Sequence, residues 1–309
     1  MSRMHSLLGL VMKITEVGKR GVVFTFDDLS TEEYDSPTNV YVIIGEKHVF
    51  ICDTFLGPGS MKGVKVYLKK YSDKTIVIFN SHYDWDHHWG NCAFPNARIY
   101  AHHLTRDKII DEGEKGLEEY KKFQRGEITI TPPNTVFYNA LSFIDEKVDI
   151  FHSPGHTEDS SSCFDLESNI LFVGDNVEDP IPYIRSDLDG VTEYVETLEL
   201  YNMLEFEKLI PGHGPIADKK LLQQNLEYLK HFPELAGPID LKKFGKPYYH
   251  IHLHNLSTLA GERLKKEEYE DSIKYYQQVI DLGKKYELIK PESIKRIKEK
   301  IKEIKKEKS

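Results

Sequence analysis

Five potential metal ligands lie within a segment of seven residues, 82–88, directly after the apolar run 75–79. Three of them are histidines and two are aspartates. Neutral imidazole together with carboxylate suits zinc, iron or manganese. A strand that ends in such a loop can turn several donor atoms inward on one turn of chain. The segment therefore predicts a metal site, and its candidate ligands are His82, Asp84, Asp86 and His87.

Further candidate ligands occur downstream of this segment. Each directly follows a glycine at the end of an apolar stretch, and they are His156, Asp175 and His213. Loops that follow strands on a rigid scaffold usually carry the chemistry of a protein. The pattern therefore indicates that distant parts of the chain meet around metal ions.

The order of these residues resembles the signature of the metallo-β-lactamase superfamily: His-x-His-x-Asp-His, then Gly-His, Gly-Asp and Gly-His. The match spans roughly residues 39–214. The resemblance implies an α/β fold, an αββα sandwich with two central sheets and outer helices. It also implies two divalent metal ions: one is bound by His82, Asp84 and His156, the other by Asp86, His87 and His213, and Asp175 bridges them.

Asp84 departs from the superfamily pattern, which has a second histidine at this position. The di-iron flavodiiron proteins of the superfamily also carry a carboxylate there, although it is the longer glutamate. With two divalent ions, a bridging hydroxide and three aspartates, the inner shell is neutral. We therefore expect the site to accept iron or manganese more readily than a histidine-bearing site, and Asp84→His to shift the bound metal toward zinc.

Other residues are candidates for supporting roles. Asp53 ends an apolar run, and the resemblance makes it a support that orients the metal loop, since ligating imidazoles need an acceptor for their other N–H. A turn aspartate at a strand end is the alternative. Tyr183 and Arg185 occupy a segment that could border the substrate pocket.

The three cysteines Cys52, Cys92 and Cys163 are widely spaced and do not describe a disulfide scaffold. A reducing compartment fits this pattern, and we predict a cytoplasmic protein. Cys92 lies close to the metal loop, but a small buried hydrophobic residue is the better interpretation, because the other ligands complete two sites.

Composition excludes several function classes. The net charge is −9, which disfavours nonspecific binding to nucleic acid or anionic membrane. No apolar run approaches the roughly 20 residues that cross a bilayer, and the apolar residues 7–12 are predicted to form an opening strand. The segment 290–308 alternates lysine with glutamate, which is typical of a solvated helix face.

Patterning divides the chain near residue 235. Strands are predicted at 39–44, 48–53, 75–79, 98–102, 148–152 and 170–174. Helices are predicted at 59–71, 107–125, 191–204, 218–232, 253–264, 266–284 and 291–306. We expect a catalytic domain over 1–235 and a helical extension over 236–309.

Residues 259–276 of the extension resemble one tetratricopeptide-type helical hairpin. The apolar stripe Ile294, Ile297, Ile301 and Ile304 then indicates a capping or docking helix. One hairpin cannot bury its faces alone, so we expect it to pack on the catalytic domain or on a second subunit or protein partner. Before it, His250, His252 and His254 alternate as in a strand. They could bind a metal or reach over the active site, and a polar connector explains them as well.

These features predict a hydrolase that uses a metal-bound hydroxide at a dinuclear site, with Asp86 and Asp175 holding the attacking oxygen. Residues 85–91 resemble the glyoxalase II branch of the superfamily, which favours a small ester-like substrate, a thioester or a lactone. Two alternatives stay open: a di-iron redox protein, suggested by Asp84, and a noncatalytic metal-binding module. The sequence leaves open the natural substrate, the native metal and the oligomeric state.

Overall fold

The computed structural model describes residues 2–7, 10–30, 37–185, 191–232 and 245–307. Two β-sheets lie at its centre and helices cover their outer faces. This architecture confirms the predicted mixed α/β sandwich with a helical extension at its C-terminal end.

The first sheet has eight strands in sequential order. Its strands are β1 (Ser2–Leu7), β2 (Leu10–Val17), β3 (Gly21–Phe26), β4 (Thr38–Ile44), β5 (His48–Cys52), β6 (Thr75–Phe79), β7 (Arg98–His102) and β8 (Thr135–Phe137). Neighbours from β1 to β5 pair antiparallel, and from β5 to β8 they pair parallel. The carboxyl ends of β5, β6 and β7 therefore meet at one edge.

The second sheet has five strands in the order β13-β12-β11-β10-β9. They are β9 (Ala140–Phe143), β10 (Val148–His152), β11 (Ser161–Asp165), β12 (Ile170–Gly174) and β13 (Lys208–Pro211). Only β12 and β13 pair parallel among these strands of the described chain. As a result, the loops after β12 and β13 leave the sheet side by side.

Alternation along the strands produces the layers. In β4, Tyr41 and Ile43 face the core between the two sheets, whereas Val40 and Val42 face the outer core. In β12, Phe172 faces the inner core and Leu171 the opposite face. Since side chains alternate across a strand, strands that are buried on both faces become almost wholly apolar, which explains why they could be predicted from sequence.

The helices form the outer layers. They are α1 (Pro58–Leu68), α2 (Trp85–His88), α3 (His103–Glu119), α4 (Thr192–Met203), α5 (Lys219–His231), α6 (Gly245–Lys265), α7 (Tyr269–Lys285) and α8 (Pro291–Glu307). Buried residues of α1 share a core with the outer face of the first sheet. Those of α4 to α8 share one core with the outer face of the second sheet. None of these described helices is both long and apolar enough to cross a bilayer.

An ion pair connects the two sheets at one end. Arg20, in the turn between β2 and β3, donates from Nε and Nη2 to Asp165 Oδ1 of β11, at 3.0 and 2.6 Å. Asp165 is fully buried. A buried carboxylate needs such a partner because an unpaired charge in the interior is costly.

The C-terminal helices pack on the rest of the chain. Leu256 of α6 and Ile280 of α7 belong to the same core as Leu198 of α4 and Leu226 of α5. Helices α6 and α7 contact each other, and Ser272 Oγ donates to the carbonyl of Ala260 at 2.7 Å. The predicted boundary near residue 235 lies outside the described residues, and the tetratricopeptide resemblance stays a prediction.

The interpretation of residues 250–254 as strand-like was wrong. Helix α6 starts at Gly245 and contains all three histidines, so His250 and His254 lie on one side of the helix and His252 on the opposite side. His250 is exposed, His252 is buried with Nδ1 3.0 Å from Tyr228 Oη, and His254 packs against the Tyr183 ring. Alternation over five residues was too short a pattern to distinguish a strand from a helix that packs in one core with α5 and α7.

Candidate metal centre

The metal loop follows β6 of the first sheet, where the chain leaves the core. Asn80 N donates to the carbonyl of Tyr100 at 3.0 Å, which ties the start of the loop to β7. Asp84 precedes the single turn of α2, which contains Asp86 and His87. Because α2 turns immediately after the strand, side chains two to five residues apart reach the same point.

The other candidate ligands come from the second sheet. His156 follows β10, Asp175 follows β12 and His213 follows β13. All lie at the edge where the metal loop emerges, and they complete two groups that could each hold a metal ion. The groups are His82, His156 and Asp175, and Asp86, His87 and His213.

Asp175 lies between the two groups. Its Oδ2 is 3.4 Å from His87 Nε2 and 3.5 Å from His213 Nε2. The same oxygen is 3.7 Å from His82 Nε2 and 3.9 Å from His156 Nε2. Ligand atoms about 2.0–2.2 Å from a tetrahedral zinc ion are about 3.3–3.6 Å apart. The two distances to His87 and His213 match this spacing, and all four are longer than a usual N–H···O hydrogen bond.

Unpaired buried nitrogen atoms show that the residues fit a metal. His82 Nε2 and His87 Nε2 are buried and have no hydrogen-bond partner in the described part of the chain. Each ring has its Nδ1 engaged instead: His82 with Ser81 Oγ at 2.9 Å and His87 with Asp53 Oδ2 at 2.8 Å. A buried polar atom without a partner is costly, and a divalent ion would satisfy both nitrogens.

A glycine permits the close approach of β12 and β13. Gly212 N donates to the carbonyl of Gly174 at 2.7 Å. A Cβ atom at Gly212 would lie 2.2 Å from Asp175 Oδ1. No other residue type could therefore occupy position 212 while Asp175 keeps its central place.

Asp53 lies beneath the metal loop. Its Oδ1 accepts from Ser81 N and its Oδ2 accepts from Ser81 Oγ, both at 2.7 Å, in addition to the contact with His87 Nδ1. The residue is buried, and its φ of 61° lies in the left-handed region, which aspartate tolerates better than most residues. These contacts are those expected of a residue that orients His87 and, through Ser81, His82.

Replacing Asp53 by asparagine should weaken metal binding by about 10–100-fold, because one amide cannot accept all three of these hydrogen bonds. Titration of the purified protein with zinc against a competing chelator measures the change. Asp165→Asn is the matched control: it removes the buried ion pair with Arg20 and should lower the free energy of unfolding without changing metal affinity. Equal zinc affinity of the Asp53→Asn protein and the wild type would remove Asp53 from this role.

Asp84 faces the first group but belongs to neither three-residue set. Its Oδ2 is 3.4 Å from both His82 Nε2 and His156 Nε2. Its Oδ1 and Oδ2 also accept from Arg185 Nη1, at 2.9 and 2.7 Å. Burial would raise the pKa of Asp84, but the Arg185 guanidinium, followed by the two histidines, holds it well below its usual range. The carboxylate is therefore ionised and aimed at the first metal position.

The two candidate pocket residues occupy different surroundings. Arg185 contacts Asp84 and also donates to Tyr83 Oη. The Tyr183 ring packs on His254 of α6. Arg185 therefore contacts a candidate ligand directly, and the Tyr183 ring lies beside α6.

The histidines and carboxylates around the centre shift one another's pKa values. Burial lowers the pKa of His213, but Asp175 and Asp86 outweigh burial and raise it to about 9. Burial also lowers the pKa of His87, but the neighbouring carboxylates of Asp175 and Asp86 outweigh burial and raise this pKa well above its ordinary value. Burial and the charge of Asp175 raise the pKa of Glu178 to about 7. Since a metal ion requires neutral imidazole, its binding would displace protons.

Sequence reasoning missed several residues that hold the loops. Asn176 Oδ1 accepts from His156 N at 2.8 Å, and Thr38 Oγ1 is 3.2 Å from His213 Nδ1. Asn255 of α6 accepts from Ile184 N at 2.9 Å and donates to the carbonyl of Pro182 at 2.9 Å. The adjacency of Asn176 to Asp175 was a usable signal. Asn255 had none, because it is far away in the chain and lies in a helical stretch.

Three neighbouring residues, His88, Cys92 and His102, lie outside the two ligand groups. His88 is buried, and burial lowers its pKa to about 3. Cys92 is only partly buried, and its thiol lies 3.4 Å from the carbonyl of Trp89. His102 ends β7 as predicted.

The fold and the site define an αββα sandwich with His and Asp groups able to hold metal ions at one edge. The sequence model of the metallo-beta-lactamase superfamily matches residues 34–213. The chain belongs to this superfamily, whose members generally bind divalent metal ions and are mostly hydrolases.

A curated relative matches over a short stretch. Beta-lactamase-like protein 2 homolog of Caenorhabditis elegans is 33% identical over 79 residues, which are 26% of this chain and 25% of the relative. The chain thus matches about a quarter of the length of that protein.

Solved structures match over a larger part of the chain. A metallo-beta-lactamase from Pontibacter korlensis has a TM-score of 0.58 at 18% identity and covers 71% of this chain and 99% of its own. The metallo-beta-lactamase FIM-1 from Pseudomonas aeruginosa, in a mono-zinc form, has a TM-score of 0.55 at 17% identity. The match covers 71% of this chain and 95% of FIM-1. At these identities the likeness shows the fold alone.

Proposed function

We propose that the protein is a hydrolase that uses two divalent metal ions, with zinc as the preferred metal. Its substrate would be a small ester-like molecule such as a thioester or a lactone. The central position of Asp175 carries this proposal, because its Oδ2 lies within 3.9 Å of four imidazole Nε2 atoms. Such an arrangement suits a bridging ligand between two ions. One ion would be held by His82, Asp84 and His156, and the other by Asp86, His87 and His213.

Bound there, two such ions would lower the pKa of water and polarise the scissile bond. The protein itself contributes position and charge. Asp86 and Asp175 have pKa values below their usual range, since the neighbouring histidines outweigh the effect of burial. Both carboxylates are therefore ionised and can accept hydrogen bonds from an attacking water. Arg185 and Tyr183 would form one wall of the pocket beside the first position.

The resemblance of residues 85–91 to the glyoxalase II branch supports the choice of substrate class. In the structure Trp85 stacks on Tyr120 with ring centroids 4.6 Å apart, and Trp89 is buried. These aromatic side chains hold α2 against the outer core of the first sheet. They thereby hold Asp86 and His87 of α2 in position. The substrate itself must be identified by turnover.

The experiment is to determine the metal content of protein purified without added metal, and then to test turnover on thioester, lactone, β-lactam and phosphodiester panels. Two ions per chain and turnover of a thioester or lactone would support the proposal, provided that His213→Ala abolishes the turnover. Two ions without turnover on any panel would contradict the assignment as a hydrolase of these classes.

A second candidate function rests on Asp84. A carboxylate at the first position suits iron, and a di-iron redox protein would need a supply of electrons. Oxygen consumption with an electron donor, together with two iron ions per chain, identifies this function. A metal-loaded protein inactive in both assays would support the third alternative, a noncatalytic metal-binding module.

A further inference from the structure

We infer that Asp84 and Arg185 act as one unit that gives the first metal position the charge of a histidine ligand. This inference rests on the metal centre of the proposed function. It concerns a pair of residues that lie 101 positions apart in the chain and meet only in the folded structure.

The geometry makes Asp84 a shared carboxylate. Arg185 Nη1 contacts both of its oxygens, at 2.9 and 2.7 Å. Its Oδ2 still faces the histidines of the first group at 3.4 Å. Each carboxylate oxygen has two acceptor sites, so Oδ2 can accept from the guanidinium and bind a metal ion at the same time.

The charge balance then equals that of a centre with histidine at position 84. Two divalent ions and the carboxylates of Asp84, Asp86 and Asp175 leave one positive charge, and Arg185 raises this to two. With a neutral histidine at 84 and no arginine, two ions and two carboxylates also leave two positive charges. Because the positive charge of the Arg185 guanidinium offsets the negative charge of Asp84, we no longer expect the site to accept iron or manganese more readily than a histidine-bearing site.

The backbone before Arg185 is held by hydrogen bonds, and its guanidinium contacts Tyr83 as well as Asp84. Tyr183 N donates to the buried Glu178 Oε1 at 3.1 Å, and Ile184 N donates to Asn255 Oδ1 at 2.9 Å. Arg185 also lies over the Tyr83 ring at 5.3 Å. The side chains of Arg185 and Asp84 are only 31% and 16% exposed. These contacts distinguish the pair from a mobile surface ion pair, which contributes little.

A cycle of four proteins tests the unit: wild type, Asp84→His, Arg185→Met and the double variant. Asp84→His alone leaves the arginine charge beside a neutral ligand, so occupancy of the first position should fall from one ion to nearly none, with at least a tenfold loss of zinc affinity. The double variant should regain two zinc ions per chain. Arg185→Met alone should move the preference from zinc toward manganese in an equimolar mixture, measured as bound metal.

Arg263→Met is the matched control, since Arg263 pairs with Glu268 at the surface, far along α6 from the site; it should leave bound metal unchanged. Equal zinc loading of Asp84→His and the double variant would overturn the inference while leaving the metal centre intact. A wild-type protein that binds no ion would overturn the proposed function and this inference together. If Asp84→His fails to fold, unchanged zinc preference of Arg185→Met overturns the inference and a shift toward manganese supports it.

Discussion

Asp175→Asn should reduce kcat/KM by about 10³-fold or more and should remove at least one metal ion per chain. Asparagine keeps the size of the side chain but loses its negative charge, which faces four imidazole nitrogens at 3.4–3.9 Å. The Oδ2 atom of Asp175 lies within 3.9 Å of histidines of both ligand groups, so its charge acts on both positions. A loss of 10³-fold corresponds to about 4 kcal/mol of transition-state stabilisation. Metal analysis and kinetics on the substrate that the panels identify measure both effects.

Asp179→Asn is the control for this substitution. Asp179 lies four residues further along the same loop, is exposed, and belongs to neither ligand group. It should keep both ions and nearly the full rate. An Asp175→Asn protein with two ions and an unchanged rate would show that Asp175 is not a bridging ligand.

Removal of metal should lower the thermal unfolding temperature by roughly 10 °C or more. Each ion that is present at 1,000 times its dissociation constant stabilises the folded state by about 4 kcal/mol, and one kcal/mol corresponds to about 2 °C in a chain of this size. Both ligand groups draw residues from the loops of both sheets. The ions would therefore close the edge of the sandwich, and calorimetry before and after treatment with a chelator measures their contribution.

The chelator effect has two controls. Addition of zinc after dialysis should restore the original unfolding temperature. A His87→Ala/His213→Ala protein should respond less to the chelator, because only the first ligand group is left to hold an ion. An unchanged unfolding temperature, with metal removal verified by elemental analysis, would mean that the ions contribute nothing to the stability of the fold.

Much of the fold could be predicted because burial on both faces leaves an apolar pattern in the sequence. The bounds of β6, β7, β10 and β12 agree with the predicted strands. Strand β11, with the sequence Ser161–Asp165, was missed because its serines are buried through hydrogen bonds: Ser162 Oγ, for example, is hydrogen-bonded to Ser153 Oγ at 2.9 Å. Polar residues satisfied in this way carry no hydrophobic periodicity.

In the site, residues in short sequence motifs could be predicted, whereas contacts between residues far apart in the chain could not. The seven candidate ligands could be chosen because each lies in a short motif after a strand, and the structure brings them to one edge. The contact of Arg185 with Asp84 could not be predicted, since nothing local to either residue indicates the other. The same holds for Asn255, whose amide reaches the loop before Arg185 from a helix 71 residues further on.

The core shared by α4, α5 and the three C-terminal helices determines how the chain unfolds. Tyr228 of α5 lies against Tyr248 of α6 with ring centroids 5.9 Å apart, and its hydroxyl accepts from Asn255 Nδ2 at 3.0 Å. Loss of these helices would expose apolar surface of α5 and would release the loop that aims Arg185. The change in composition near residue 235 therefore does not mark a break in cooperativity: the helices and the sandwich should melt in a single transition, as one folding unit.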